Sequence, residues 1–68
     1  MYLGKMTDEL EELYNKYYDI FGVEPDYYEE TEYGQNDYDV FVGDIKKCIE
    51  ENKEIPDVAN IVKSDFWL

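Results

Sequence analysis

The sequence predicts a mainly α fold: a small bundle of two longer helices plus a short C-terminal helix, with an acidic, tyrosine-rich connecting loop. Three observations predict it. Apolar residues recur at steps of three and four in two separate stretches, capping residue types flank both stretches, and a proline opens a third, shorter apolar run. At 68 residues the chain is read as one small acidic domain, residues 1–68. A chain this short buries roughly 60% of the surface it exposes when unfolded, which leaves no room for a deep cleft walled by two layers. Net charge alone would favour disorder. A 44% hydrophobic content, periodically placed, argues for a folded core.

In the first helix Met6, Leu10, Leu13, Tyr14, Tyr17 and Phe21 share one face. Thr7 or Asp8 is the expected N-cap, and Asp8, Glu9, Glu11 and Glu12 fall in the first turn, where the helix dipole favours anions. Glu12 precedes Lys16 by four residues, the favourable order for a helical ion pair, and Gly22 is placed to end the helix. In the second helix Tyr38, Phe41, Val42, Ile45, Cys48 and Ile49 follow the helical period. Asn36 or Asp37 is its expected cap, Lys46 and Lys47 lie toward its C-terminal half, and Asn52 is its expected terminator. Val40 and Gly43 fall off the apolar face.

The third element is expected to start at Pro56, whose fixed φ suits the first helical position, with Ile55, Val58, Ala59 and Val62 on one side. Phe66, Trp67 and Leu68 then form an apolar tripeptide. Two uses fit it: folding back to complete the core, or anchoring a partner or a second copy. Residues 23–36 carry turn signals at Pro25 and from Gly34 to Asp37, and strand-favouring side chains at Tyr27, Thr31 and Tyr33. A short β-hairpin is one outcome; imperfect alternation makes a loop the expected one.

Charge narrows the function. The chain has 18 acidic residues against 6 lysines, with no Arg and no His, for a net charge of −12. A field of this sign repels nucleic acid and anionic lipid and attracts basic surfaces. Between Lys16 and Lys46 there is no basic residue, and nine acids share that span with six of the eight tyrosines. Tyrosine offers flat contact area with a polar tip at low entropic cost. The bland alternative is a solvated loop whose charge serves solubility.

Catalysis is not expected. Without His the usual general base and triad member are missing, and without Arg there is no bidentate phosphate clamp. Ser64 has no base near it in sequence, and paired carboxylates need a desolvating pocket that a domain this small is not expected to provide. No cofactor is expected, and no metal: Asn36, Asp37, Asp39 and Asp44 lack the order of a calcium loop, and there is no Cys/His set for zinc. The single Cys48 is expected to be buried and inert. The N-terminal residues carry no secretory pattern, and no run approaches the ~18 apolar residues of a membrane span, so the expected location is cytoplasmic.

The arrangement Tyr17-Tyr18-x-x-Phe21-Gly22-x-x-Pro25, followed by Asp44-Ile45-Lys46-Lys47-Cys48-Ile49-Glu50-Glu51-Asn52-Lys53, resembles short uncharacterised proteins of Firmicutes and their phages. The likeness covers roughly residues 14–56 and departs in the long acidic tyrosine-rich insert. It implies a prophage or mobile-element origin, which would place the protein in the host cytoplasm. Many short acidic phage proteins, anti-CRISPR proteins among them, disable host nucleases by binding them.

The expected function is therefore an acidic protein-interaction module that occupies a basic nucleic-acid-binding or nuclease protein as a DNA mimic, touching neither nucleic acid nor membrane itself. The residues expected to meet the partner are Glu24, Asp26, Tyr27, Tyr28, Glu29, Glu30, Glu32, Tyr33, Asp37 and Asp39, with Phe66, Trp67 and Leu68 as the apolar anchor. The alternative is a small structural or regulatory homodimer, its interface formed by the two longer helices and the C-terminal tripeptide.

Overall fold

The computed structural model describes residues 2–29 and 31–59. Three helices follow in order: α1 (Asp8–Phe21), α2 (Tyr38–Glu51) and α3 (Ile55–Val58). Val62, Phe66, Trp67 and Leu68 lie outside the described residues.

α1 begins at Thr7, whose extended backbone (φ −122°) and side-chain oxygen set the cap: Leu10 N–H donates to Thr7 Oγ1 at 3.1 Å. It ends at Gly22 in the left-handed region (φ 77°), where the glycine N–H closes on the Tyr18 carbonyl. Leu10, Leu13, Tyr14 and Tyr17 are its buried stripe. Met6 departs from the expected face. It precedes the helix and is 52% exposed, because the cap at Thr7 stops the helical period one residue after it.

α2 buries Phe41, Val42, Ile45 and Cys48, and it ends on Asn52, a left-handed residue (φ 58°) whose N–H reaches the Cys48 carbonyl. Asp37 occupies the N-cap position without capping through its side chain. Its Oδ2 instead accepts from Gly34 N–H at 2.8 Å, closing the preceding turn. Gly43, in mid-helix, is exposed, and a Cβ there would meet nothing within 4 Å. Such a glycine costs α2 ~0.5–1 kcal/mol relative to alanine, and no packing among the described residues requires it. α3 is a single turn with Pro56 in its first positions and Ile55 fully buried.

α1 packs on α2, and α2 on α3. The ring of Phe41 is the centre of the core: Tyr2 stacks on it at 4.4 Å, Tyr33 tilts against it at 4.6 Å, and Tyr14 meets it edge-on at 6.1 Å. The N-terminal arm thus contributes to the core, which the sequence pattern did not indicate. Gly4 makes this possible, since a Cβ there would collide with the Tyr2 ring; the Tyr2 hydroxyl donates to the Lys5 carbonyl at 2.9 Å. The arm runs parallel to the end of the connecting segment through one isolated bridge, Tyr2 with Tyr33, with Leu3 N–H donating to the Tyr33 carbonyl at 2.9 Å. Among the described residues there is no strand, so the described part of residues 23–36 is a loop and not a hairpin.

Candidate protein-interaction surface

The loop from Gly22 to Asp37 crosses one side of the helix pair with alternating inward and outward residues. Pro25 is fully buried, and Tyr27 N–H donates back to the Glu24 carbonyl at 3.0 Å, making a turn around it. Tyr28, Thr31 and Tyr33 then point inward, all below one-tenth exposure. Glu24, Tyr27, Glu29, Glu32 and Asp37 point outward, as does Asp39 in the first turn of α2, and Asp26 is half-buried.

This corrects the expected binding set. Tyr28 (8% exposed) and Tyr33 (3%) cannot offer their rings to a partner. Both belong to the core instead, Tyr33 against the Phe41 ring and Tyr28 with its hydroxyl on that of Tyr17. Glu30 lies outside the described residues. Of the tyrosines in the cation-free span, Tyr18 (55%) and Tyr27 (66%) remain available, and Tyr27 is steadied by an edge-on contact with the buried Tyr28 ring at 5.4 Å.

Burying a phenol requires a partner for its hydroxyl. Here the partners are mostly carboxylates. Tyr33 donates to Asp44 Oδ2 at 2.7 Å, Tyr28 to Glu54 Oε1 at 3.0 Å, and Tyr38 to Glu9 Oε1 at 3.3 Å. The Tyr17 and Tyr28 hydroxyls are 2.6 Å apart, and Ile55 N–H donates to Tyr17 Oη at 3.0 Å. Since the one hydroxyl proton of Tyr28 goes to Glu54, Tyr17 must be the donor to Tyr28. The result is a directed chain, Ile55 N–H to Tyr17 to Tyr28 to the Glu54 carboxylate, which ties α1, the loop and α3 together.

A second chain follows from the same proton count at the other end of the bundle. Leu10 N–H donates to Thr7 Oγ1, the Thr7 hydroxyl lies 2.6 Å from Tyr38 Oη, and Tyr38 donates to Glu9, so Thr7 is the donor to Tyr38. The other oxygen of Glu9 takes Lys46 Nζ at 3.2 Å, with both side chains more than half exposed. That pair, between helices, stands where the sequence suggested Glu12 with Lys16.

The phenols are poor acids in this setting. Burial raises Tyr14, Tyr28 and Tyr33 well above the ordinary tyrosine range, reinforced by neighbouring carboxylates and, for Tyr28, first by the Tyr17 hydroxyl. For Tyr14 the nearest carboxylate is Asp26, so this half-buried acid leans on the core while its neighbours face outward. The Cys48 thiol, fully buried, is pushed up to about 12 by burial and by Asp44, which makes it unreactive at neutral pH.

A shallow hollow of about 440 Å³ is lined by Leu13 and Lys16 of α1 and by Lys46, Ile49 and Glu50 of α2. A second hollow is lined by Lys5, Thr7, Gln35 and Tyr38, so one lysine stands beside the C-terminal end of the loop. Among the described residues no group of three or more Cys, Asp or Glu could hold a metal ion, and no helix is long and apolar enough to cross a membrane. Comparison with protein-family models, curated proteins and solved structures finds no match to the chain.

Proposed function

We propose that this protein is an acidic interaction module that binds a basic nucleic-acid-binding or nuclease protein and blocks it by covering the surface nucleic acid would use. The observation that supports this most is the two-sided build of the loop. Its inward tyrosines hold it to the bundle, while Glu24, Tyr27, Glu29, Glu32, Asp37 and Asp39 stay exposed, and the span from Asp19 to Asp44 that carries them contains no lysine. Duplex DNA presents one negative charge per ~1.7 Å of axis, and its partners gain much of their affinity from that field. Carboxylates carried on a loop held by Tyr28 and Tyr33 can draw on the same attraction with less backbone reordering, and the exposed Tyr27 ring adds apolar or cation–π contact to it.

A phage or mobile-element origin and an anti-CRISPR-like role belong to this proposal through the resemblance over residues 14–56. The protein itself is expected to bind neither nucleic acid nor membrane, since both carry its own sign of charge. The test is binding to a basic bacterial nuclease or DNA-binding protein, identified by affinity capture and then purified. Binding should weaken steeply as salt rises, DNA should compete for it, and Glu24→Lys, Glu29→Lys and Glu32→Lys together should abolish it. A complex indifferent to DNA and to the triple substitution would reject the proposal.

A further inference from the structure

The outward face of α2 has the placement of a self-complementary surface. Asp39, Val40, Gly43 and Lys47 are all exposed, and Val40 is 57% so. Gly43 leaves open space where a Cβ would stand, so another backbone can approach α2 closely there. Among the described residues neither Asp39 nor Lys47 has an ion-pair partner. Asp39 precedes Gly43 by four residues and Lys47 follows it by four, so acid and base sit on the same side of the helix about one turn to either side of the glycine.

We propose that α2 pairs antiparallel with α2 of a second copy, crossing at Gly43 about a two-fold axis. In that arrangement Asp39 of each chain meets Lys47 of the other, and each Val40 covers the aliphatic stem of the opposing Lys47. The axis makes both charge pairs form at once. A parallel pairing would set Asp39 on Asp39 and Lys47 on Lys47, so the charges also select the direction. The crossing takes up Asp39 but not Glu24, Tyr27, Glu29, Glu32 or Asp37, so a dimer would still carry two acidic loops; it does not depend on the proposed partner.

Salt separates the two ideas. Each chain carries −12, so screening should strengthen the dimer, whereas it should weaken capture by a basic protein. The test is sedimentation equilibrium of the isolated protein up to millimolar concentration, together with oxidative cross-linking of Gly43→Cys. The expected result is a monomer–dimer equilibrium favoured by salt, with G43C forming a symmetric disulfide much faster than Asn15→Cys on the exposed side of α1. The native Cys48 is fully buried and does not compete. Lys47→Glu should weaken the dimer at least about tenfold, and Asp39→Lys combined with Lys47→Glu should restore it. Three outcomes would overturn the proposal: a monomer at every concentration, equal cross-linking at the two positions, or a dimer unaffected by Lys47→Glu. Circular dichroism of each variant excludes unfolding as the cause.

Discussion

The helix pair and the loop that joins them are held in place by different physics. Along α1 and α2, burial follows a local period, and the ends are closed by Thr7, Gly22 and Asn52 within a few residues of each terminus. Along the loop, order comes from residues distant in sequence: Tyr28 reaches Glu54 across 26 positions, and the Tyr33 hydroxyl reaches Asp44. In a chain with no Arg or His and few lysines, phenol hydroxyls act as neutral counter-groups for carboxylates. A lysine in those places would cancel charge; a tyrosine fixes the carboxylate and leaves the negative field intact.

The comparison can be broken most forcefully at the point the two regions share. Phe41→Ala removes the ring that Tyr2, Tyr14 and Tyr33 all pack on, with an expected cost of ~3–5 kcal/mol. For a domain this small, that should abolish the cooperative thermal transition in circular dichroism. Both regions should fail together.

Tyr28→Phe should separate them. It keeps the ring but removes the hydroxyl that accepts from Tyr17 and donates to Glu54, at an expected ~1–3 kcal/mol. Chemical denaturation should show the loss, and near-ultraviolet circular dichroism should show altered tyrosine packing with helix content retained.

Alkaline titration probes the same bonds in the native chain. The folded state holds protons on Tyr28 and Tyr33 beyond the ordinary tyrosine value of 10, and on Cys48 from an ordinary 9 up to about 12. Folded values raised above unfolded ones stabilise the protein fully below about pH 9, and that contribution falls as pH rises through 9 and 10. Melting temperature should drop over this window in the native protein. The drop should be smaller in Tyr33→Phe.

Thr7→Ala tests the helix pair, removing both the cap on Leu10 N–H and the bond to Tyr38, with an expected loss of ~1–2 kcal/mol. The smallest effect belongs to Lys46→Ala, whose exposed pair with Glu9 contributes ~0–1 kcal/mol, so the midpoint of denaturation should barely move.

Legibility in the sequence follows the same division. The helical face of α2 was readable in full, because burial along a helix repeats every turn and Tyr38, Phe41, Val42, Ile45, Cys48 and Ile49 keep that register. Gly22 and Asn52 were readable because few residue types adopt the left-handed conformation easily. The roles of Tyr28 and Tyr33 were not. A tyrosine between acids has the same local signature whether it faces solvent or fills a core, and the choice rests on Phe41, Asp44 and Glu54, far along the chain. Tyr2 was hidden for a related reason: a single inward residue on an arm has no period to announce it. The exposed acids Glu24, Glu29, Glu32, Asp37 and Asp39 are visible as charge, but the inward packing of the loop that carries most of them is not.

The central claim is that the acidic loop is a built surface and not a solvated tether. Amide hydrogen exchange followed by mass spectrometry measures this directly on residues 23–36, in the native protein and in Tyr28→Phe. The account predicts measurable protection of the loop in the native chain, lost in Tyr28→Phe while α1 and α2 stay protected. A loop that exchanges at unfolded-chain rates in the native protein would contradict it.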